Sequence, residues 1–415
     1  MTLPVPPDVL AVPAPVWLLK ALLHATFFVH LLFMNLLAGG TLLEAVFAFK
    51  GQPKHLDVAR RLAQIMPYVM PFTITFGVAP LLFAQVLYGP LFYTAAIVMG
   101  GPFLLGLAAV LVAYVLLYVQ KRFWTGLGRA RGWLALLTFA LLGFMGFVWS
   151  NLSAMILEPE RMPGKHLAHP GGWQLDLADP GVYPRFLHVM LGAVALAGLY
   201  VALLGVRRLA LEPEQGRWQY RSGATWFAGT TLVNMAVGLW WLLALPREQM
   251  TALMGGSLAA TIAFGVGFLA ALMALAHSLL GVNSLKPAPM LWGAAGALLA
   301  TILAMVLVRD AVRDAALKEA YPLASLPVGP QWGAIALFLA LFAAGVGTCA
   351  WMLRVMARAR KIREDGLVGP GLTDSGLHKI SPEESGFYRT GGLSTGARRA
   401  GPPSTGARRL DDEAE

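Results

Sequence analysis

Apolar residues run along this chain in blocks too long and continuous for a soluble fold. About nine blocks are separated by short polar connections, at roughly 16–49, 62–88, 90–119, 132–157, 186–206, 223–245, 253–281, 289–309 and 330–353. A helix needs about 20 apolar residues to cross a hydrocarbon layer ~30 Å thick. Each block therefore predicts a transmembrane helix, and the set predicts an all-α polytopic membrane bundle of about nine helices. The first block exceeds the length of one crossing, so its start is expected along the interface. A bare Gly89-Pro90 separates the second block from the third. The opening M-T-L-P-V-P-P-D-V-L-A-V-P-A-P lacks a basic n-region and a small-residue cleavage site, and is read as retained rather than removed.

Charge sets the orientation. Lys50, Lys54, Arg60 and Arg61 follow the first span, Lys121, Arg122, Arg129 and Arg131 the third, and Arg207, Arg208, Arg217 and Arg221 the fifth. Lys286 follows the seventh, and Arg354, Arg358, Arg360, Lys361 and Arg363 follow the ninth. The intervening connections carry fewer, so the positive-inside rule predicts N-out and C-in. Residues 1–15 are then a periplasmic segment, 16–356 the transmembrane domain, and 357–415 a basic cytoplasmic tail. The tail is rich in Gly, Ser, Pro and Arg, repeats S-T-G-A-R-R at 394–399 and 404–409, and is expected to be disordered.

Composition agrees. The 415 residues are 57% hydrophobic and 13% charged, against about 25% charged in soluble domains, and mean hydropathy is +0.63. The net charge of +10 reports topology rather than nucleic-acid binding. With Cys349 as the single cysteine, an intrachain disulfide, a thiolate metal cluster and a C-x-x-C-H haem attachment are excluded.

Ionisable and polar groups inside spans are costly and tend to mark sites. The first span carries Lys20, His24, His30, Asn35 and Glu44; the second Gln85; the fourth Asn151; the fifth Arg185 and His188; the sixth Asn234; the seventh Met254 and His277; the eighth Arg309 and Asp310. With the orientation above, most fall in the outer half. Imidazole and thioether without cysteine or a carboxylate cage suit haem iron better than zinc or calcium. Six positions separate His24 from His30, about 240° around a helix, so both cannot face one haem. An intramembrane histidine also serves as an interhelical hydrogen-bonding group, and Met254 also fits plain packing. Residue types alone therefore support a helical membrane protein with a candidate haem site.

Residues about 15–345 resemble subunit I of the cytochrome bd quinol oxidases. K-A-L-L-H-A-T-F-F-V-H-L-L-F places Lys20 ten residues before His30, similar to the family's basic residue and haem-ligating histidine. F-G-V-A-P-L-L-F-A-Q-V-L-Y-G at 76–89 resembles the family's F-G-V-A-T-G-x-x-M-E-F-Q-F-G, with Gln85 in place of the glutamate. W-S-N-L-S-A-M, containing Asn151, resembles A-N-x-W-M, and F-L-H-V-M-L-G-A resembles F-V-H-T-V. T-A-L-M-G-G resembles R-I-M-V-G, and V-R-D-A-V-R resembles V-A-E-Y-G-R, with Asp310 for the glutamate and Arg313 for the arginine.

The resemblance implies that His188 and Met254 are the axial ligands of a low-spin haem b and that His30 holds a second haem. It puts Gln85, Asn151, Asp310 and Arg313 at the haem sites; Arg185, one turn before His188 on the same face, is a candidate partner of a haem propionate or an interfacial anchor. The family's long loop between spans six and seven shrinks here to P-R-E-Q-M-T and its G-R-Q-P-W motif is missing. Gln85 neither ionises nor shuttles protons well. The expected function is a haem b-binding subunit, with one or two haems, of a respiratory electron-transfer complex in the bacterial inner membrane. It would exchange electrons with quinone or a periplasmic cytochrome c-type carrier and associate with other membrane subunits. The alternatives are a bd-like quinol oxidase reducing dioxygen at a haem pair and a haem-free scaffold or transport subunit. The 158–185 connection, with His166, His169 and Trp173, is a candidate docking or quinone-gating element.

Overall fold

The computed structural model describes residues 11–364, so the reading of the basic tail beyond residue 364 and of the first ten residues lies outside the described part. By compactness the chain divides into two units, Met1–Trp332 and Gly333–Glu415. The first contains ten helices: α1 (Val16–Lys50), α2 (Pro53–Val98), α3 (Gly100–Phe123), α4 (Ala130–Leu157), α5 (Met162–Ala168), α6 (Val182–Arg208), α7 (Pro213–Leu243), α8 (Arg247–Thr251), α9 (Leu258–Val282) and α10 (Pro287–Leu317). The second holds nearly all of α11 (Trp332–Glu364).

Eight of the described helices are long and apolar enough to cross a membrane, namely α1 to α4, α6, α7, α9 and α10. In α11 the stretch Trp332–Gly345 forms a shorter apolar helix. The protein is thus a multi-pass helical bundle, with about one fewer full-length span among the described residues than the apolar blocks suggest. Two boundaries also differ from expectation. The second span does not stop at Gly89-Pro90; α2 bends at Tyr88 (φ −126°, ψ 24°) and continues to Val98. Pro90 removes one N–H and kinks the helix. The break falls at Met99 (φ −107°, ψ 22°) because Gly100, Gly101 and Pro102 follow it, and Pro is tolerated in the first turn of the next helix. The seventh span begins at Leu258, capped by the Ser257 hydroxyl, rather than at residue 253.

Small residues set the closest helix contacts, as expected where lipid supplies no hydrophobic drive for helix association. A Cβ on Gly205 would lie 2.3 Å from Tyr220 N, and one on Gly223 2.3 Å from Ala202 N, so α6 and α7 pack backbone against backbone. Gly39 lets α1 approach the Ala193 carbonyl of α6 equally closely. Around these seams Leu37, Phe47, Leu62, Met66, Val194 and Val201 form a buried core between α1, α2 and α6.

The connections sort into two ends. At one, Val12 pairs with Val328, Gly101 N donates to the Gly172 carbonyl at 2.9 Å, and Arg309 donates to Ser153. At the other, Arg208 pairs with Asp57 and Gln215 donates to the Lys54 carbonyl. The first is the end expected outside and the second the end rich in basic residues, so the contacts obey the alternation that the charges imply.

Candidate haem site

His30 and His188 reach across helix boundaries in the same way. The Nδ1 of His30, on α1, lies 3.0 Å from the Thr73 carbonyl of α2. The Nδ1 of His188, on α6, lies 3.3 Å from the Asn234 carbonyl of α7. A carbonyl only accepts, so Nδ1 is the protonated nitrogen in each ring and the Nε2 lone pair is left available. That is how a metal-ligating histidine is usually held.

Each ring also lies over a glycine four residues beyond its carbonyl. A Cβ on Gly77 would meet His30 Cε1 at 2.8 Å, and one on Gly238 would meet His188 Cε1 at 3.1 Å. In a helix the carbonyl of residue i points at residue i+4, so glycine there uncovers the acceptor. Neither glycine was singled out from the sequence, because the relation joins residues more than forty positions apart on different helices. His24 takes another direction: its Nε2 lies 3.3 Å from Asp310 Oδ1. His24 and His30 thus face different helices, as the helical angle requires.

The remaining sequence candidates divide. Asp310 is committed to ion pairs: Lys20 Nζ lies 3.0 Å from its Oδ2, and Arg313 bonds its Oδ1. Lys20 also reaches Asp314 at 2.5 Å, and Arg313 lies 4.2 Å from the Tyr88 ring centroid. With both oxygens engaged, Asp310 is an anchor between α1 and α10 in this structure, and Arg313 its partner. Asn151 is fully buried and pins the outer connection, its Nδ2 donating to the Phe147 carbonyl at 3.0 Å and its Oδ1 accepting from Asp176 N at 2.9 Å. Gln85 is partly buried in α2. Met254 is 63% exposed and occupies a π-helical turn, Ala252–Gly256, where Gly255 adopts φ 117°. That turn packs on α8, α9 and α10, whereas His188 faces α7.

Two guanidiniums stand out by what they lack. Arg185 donates to the Ser150 carbonyl at 3.5 Å, and Arg309 to Ser153 Oγ at 3.4 Å while stacking 4.6 Å from the Phe27 ring centroid. Among the described residues neither forms a salt bridge. Phe27 is also the aromatic neighbour of His30, at 6.3 Å between centroids. Arg309 was visible in the sequence as a charge within a span, yet nothing in its context separated it from an interfacial anchor.

The 158–181 connection is held by charge. Glu158, Asp176 and Asp179 come within 4.8 Å of one another, with Lys165 on Asp176 and Arg161 on Glu158 at 2.6 Å. Burial, with Asp179 and Glu160 nearby, raises the Glu158 carboxyl above its ordinary value, and Arg161 and Lys165 oppose the shift. His166 and His169 are exposed, and the Trp173 ring covers Gly101, which has no Cβ to hold it off.

No protein-family model matches the sequence, and no curated protein matches it. Among solved structures, the chain is similar to one from the bd oxidase of Geobacillus thermodenitrificans, with a TM-score of 0.67 at 13% sequence identity. The match covers 84% of this chain and 100% of that one. At that identity the likeness concerns the fold, and the helical bundle has a distant bd-oxidase-like architecture.

Proposed function

We propose that the chain is a haem b-binding integral membrane subunit of a respiratory electron-transfer complex in the bacterial inner membrane. It would pass electrons between quinone and a periplasmic cytochrome c-type or partner-subunit carrier. The observation that carries this is the repeated histidine arrangement, with Nδ1 on a neighbouring helix's carbonyl and Nε2 left to bind a metal. Arg185 and Arg309 support it, since guanidiniums in spans that form no salt bridge among the described residues leave room for an anionic group beside them. Haem propionates are such groups.

In this role His30 and His188 would each hold a haem through Nε2, and Met254 would help hold the haem at His188. Haem b, once bound, supplies one-electron transfer. Backbone carbonyls fix both imidazole tautomers, so neither ring has to rotate or exchange a proton to keep its ligand. Lys20, His24 and Arg313 engage both oxygens of Asp310, which leaves this carboxylate no free oxygen for proton delivery. Gln85 adds no titratable group. These features favour electron transfer over a dioxygen reductase, whose reaction consumes protons.

The test is a dithionite-reduced minus oxidised visible spectrum of the detergent-purified protein, repeated with carbon monoxide. Sharp b-type bands lost in His188→Ala and unmoved by carbon monoxide support the electron-transfer role. A Met254→Leu protein should then gain a carbon monoxide response, because leucine has no thioether with which to hold the iron. A carbon monoxide shift in the native protein that depends on His30 would point to the oxidase instead. Absence of haem bands would refute both and leave a scaffold or transport subunit.

A further inference from the structure

The basic end of the first unit, remote from the outer-side arginines, holds a second concentration of polar groups. Lys50 closes α1, Gly51 turns the chain at φ 68°, and α2 starts at Pro53 without an acidic residue or a side-chain cap in its first turn. The start of α7 lies alongside: Trp218 meets the His55 ring edge-on at 4.9 Å, and Lys54 Nζ sits 5.1 Å from the Trp218 ring centroid. Between them is a hollow of about 310 Å³ whose polar lining is Lys50, His55, Arg221, Ser222 and Thr225, with Trp218 and Trp226 as its apolar walls. A second hollow of about 480 Å³ shares Trp218 and Arg221 and adds Arg217 and Glu214.

Three observations give this hollow the character of an anion site. Arg221 spends its Nε on the Val282 carbonyl at 3.1 Å, which fixes the guanidinium and leaves both terminal amino groups for a ligand. No carboxylate lines the first hollow, and the uncapped N-terminus of α2 adds its partial positive charge.

We propose that this hollow binds the phosphodiester headgroup of an anionic phospholipid from the leaflet on the basic side of the membrane. A lipid is favoured over free phosphate by position. The site sits where α1 ends and α7 enters its apolar stretch, and paired tryptophans are the side chains that settle at headgroup level.

Native mass spectrometry of the full chain in detergent tests it, with phosphatidylglycerol, phosphatidylcholine and inorganic phosphate as probes. Phosphatidylglycerol should be retained in preference to phosphatidylcholine and should resist millimolar inorganic phosphate. Each membrane-facing cation is worth about fivefold in binding, so K50Q/R221Q should bind about 25-fold more weakly. R122Q/R129Q, which removes equal charge from another loop on the same face, should bind normally, and K50Q/R221K should recover part of the loss. Equal retention of the two lipids by the native protein, or unchanged binding by K50Q/R221Q, would overturn the proposal. Displacement by inorganic phosphate would overturn the lipid and assign the site to free phosphate. The lipid preference of the native protein is decisive even if a variant fails to fold.

Discussion

Gly77→Ala is the sharpest perturbation of the histidine arrangement. The added Cβ would sit 2.8 Å from His30 Cε1 and 3.0 Å from its Nδ1. Ordinary carbon contacts need about 3.5 Å, so the ring must retreat by more than half an ångström. The 3.0 Å bond to the Thr73 carbonyl would stretch towards a separation that no longer counts as a hydrogen bond. Losing that bond costs about 1 kcal/mol and overpacking about 1–3 kcal/mol. Alanine returns about 1 kcal/mol over glycine in a helix, so the net is a loss of about 1–3 kcal/mol. Gly238→Ala, where the contacts with His188 are 3.1 and 3.3 Å, should cost less. Gly229→Ala, with nothing within 4 Å, should be neutral or stabilising. Unfolding in detergent orders the three proteins without reference to haem. Haem titration adds the ligand, since outer-shell contacts of metal-bound histidines are worth about 10–100-fold in affinity. A Gly77→Ala protein as stable as Gly229→Ala, with an intact His30-dependent spectrum, would show that the glycine does not position the ring.

Further outcomes follow from the outer end. Asp310→Asn leaves Arg313 and part of the Lys20 charge uncompensated around a carboxylate position only 12% exposed, and should destabilise by about 3 kcal/mol; restoration of part of that by adding Lys20→Met would confirm the ion pair as the cause. Asn151→Ala strands the buried Asp176 N–H at a cost of about 1–3 kcal/mol, visible as faster amide exchange around 172–180 while α1 and α2 are unchanged. Glu158 binds its proton more tightly in the folded state than at the ordinary value of 4.5. Its contribution is therefore fully present below that value and declines as pH rises through the raised folded value. Docking of 159–181, read by exchange corrected for intrinsic rates, should weaken from mildly acidic to neutral pH, and Glu158→Gln should remove the dependence.

The membrane bundle was legible because crossing a bilayer imposes a length that no other burial does. Where the pattern misled, two local signals competed. Pro90 suggests a stop, yet a proline alone only bends a helix, whereas Gly100, Gly101 and Pro102 together end it. Asp310 is placed at a haem site by the resemblance alone. Its partners Lys20 and His24 come from the other end of the chain, and no periodicity links positions 290 residues apart. Met254 lies in a stretch that scans as helix, but the π turn and the left-handed Gly255 depend on packing around α8 and α10.

The histidines themselves supply the internal control for their interpretation. If an intramembrane histidine needed only to satisfy its own polarity, a carbonyl of its own helix would serve. His277 does this, with Nδ1 2.8 Å from the Met273 carbonyl one turn back and its ring lying against Gly293. His30 and His188 instead take a carbonyl from a different helix, each opened by a glycine four residues on, and on two different helix pairs. Such an arrangement fixes ring direction as well as protonation. An interhelical hydrogen bond is one use of such a histidine; fixed ring direction with Nε2 left open is in addition what metal binding requires. The same distinction sets the expected ranking of effects: His277→Phe should preserve any haem spectrum, and alanine at His30 or His188 should not.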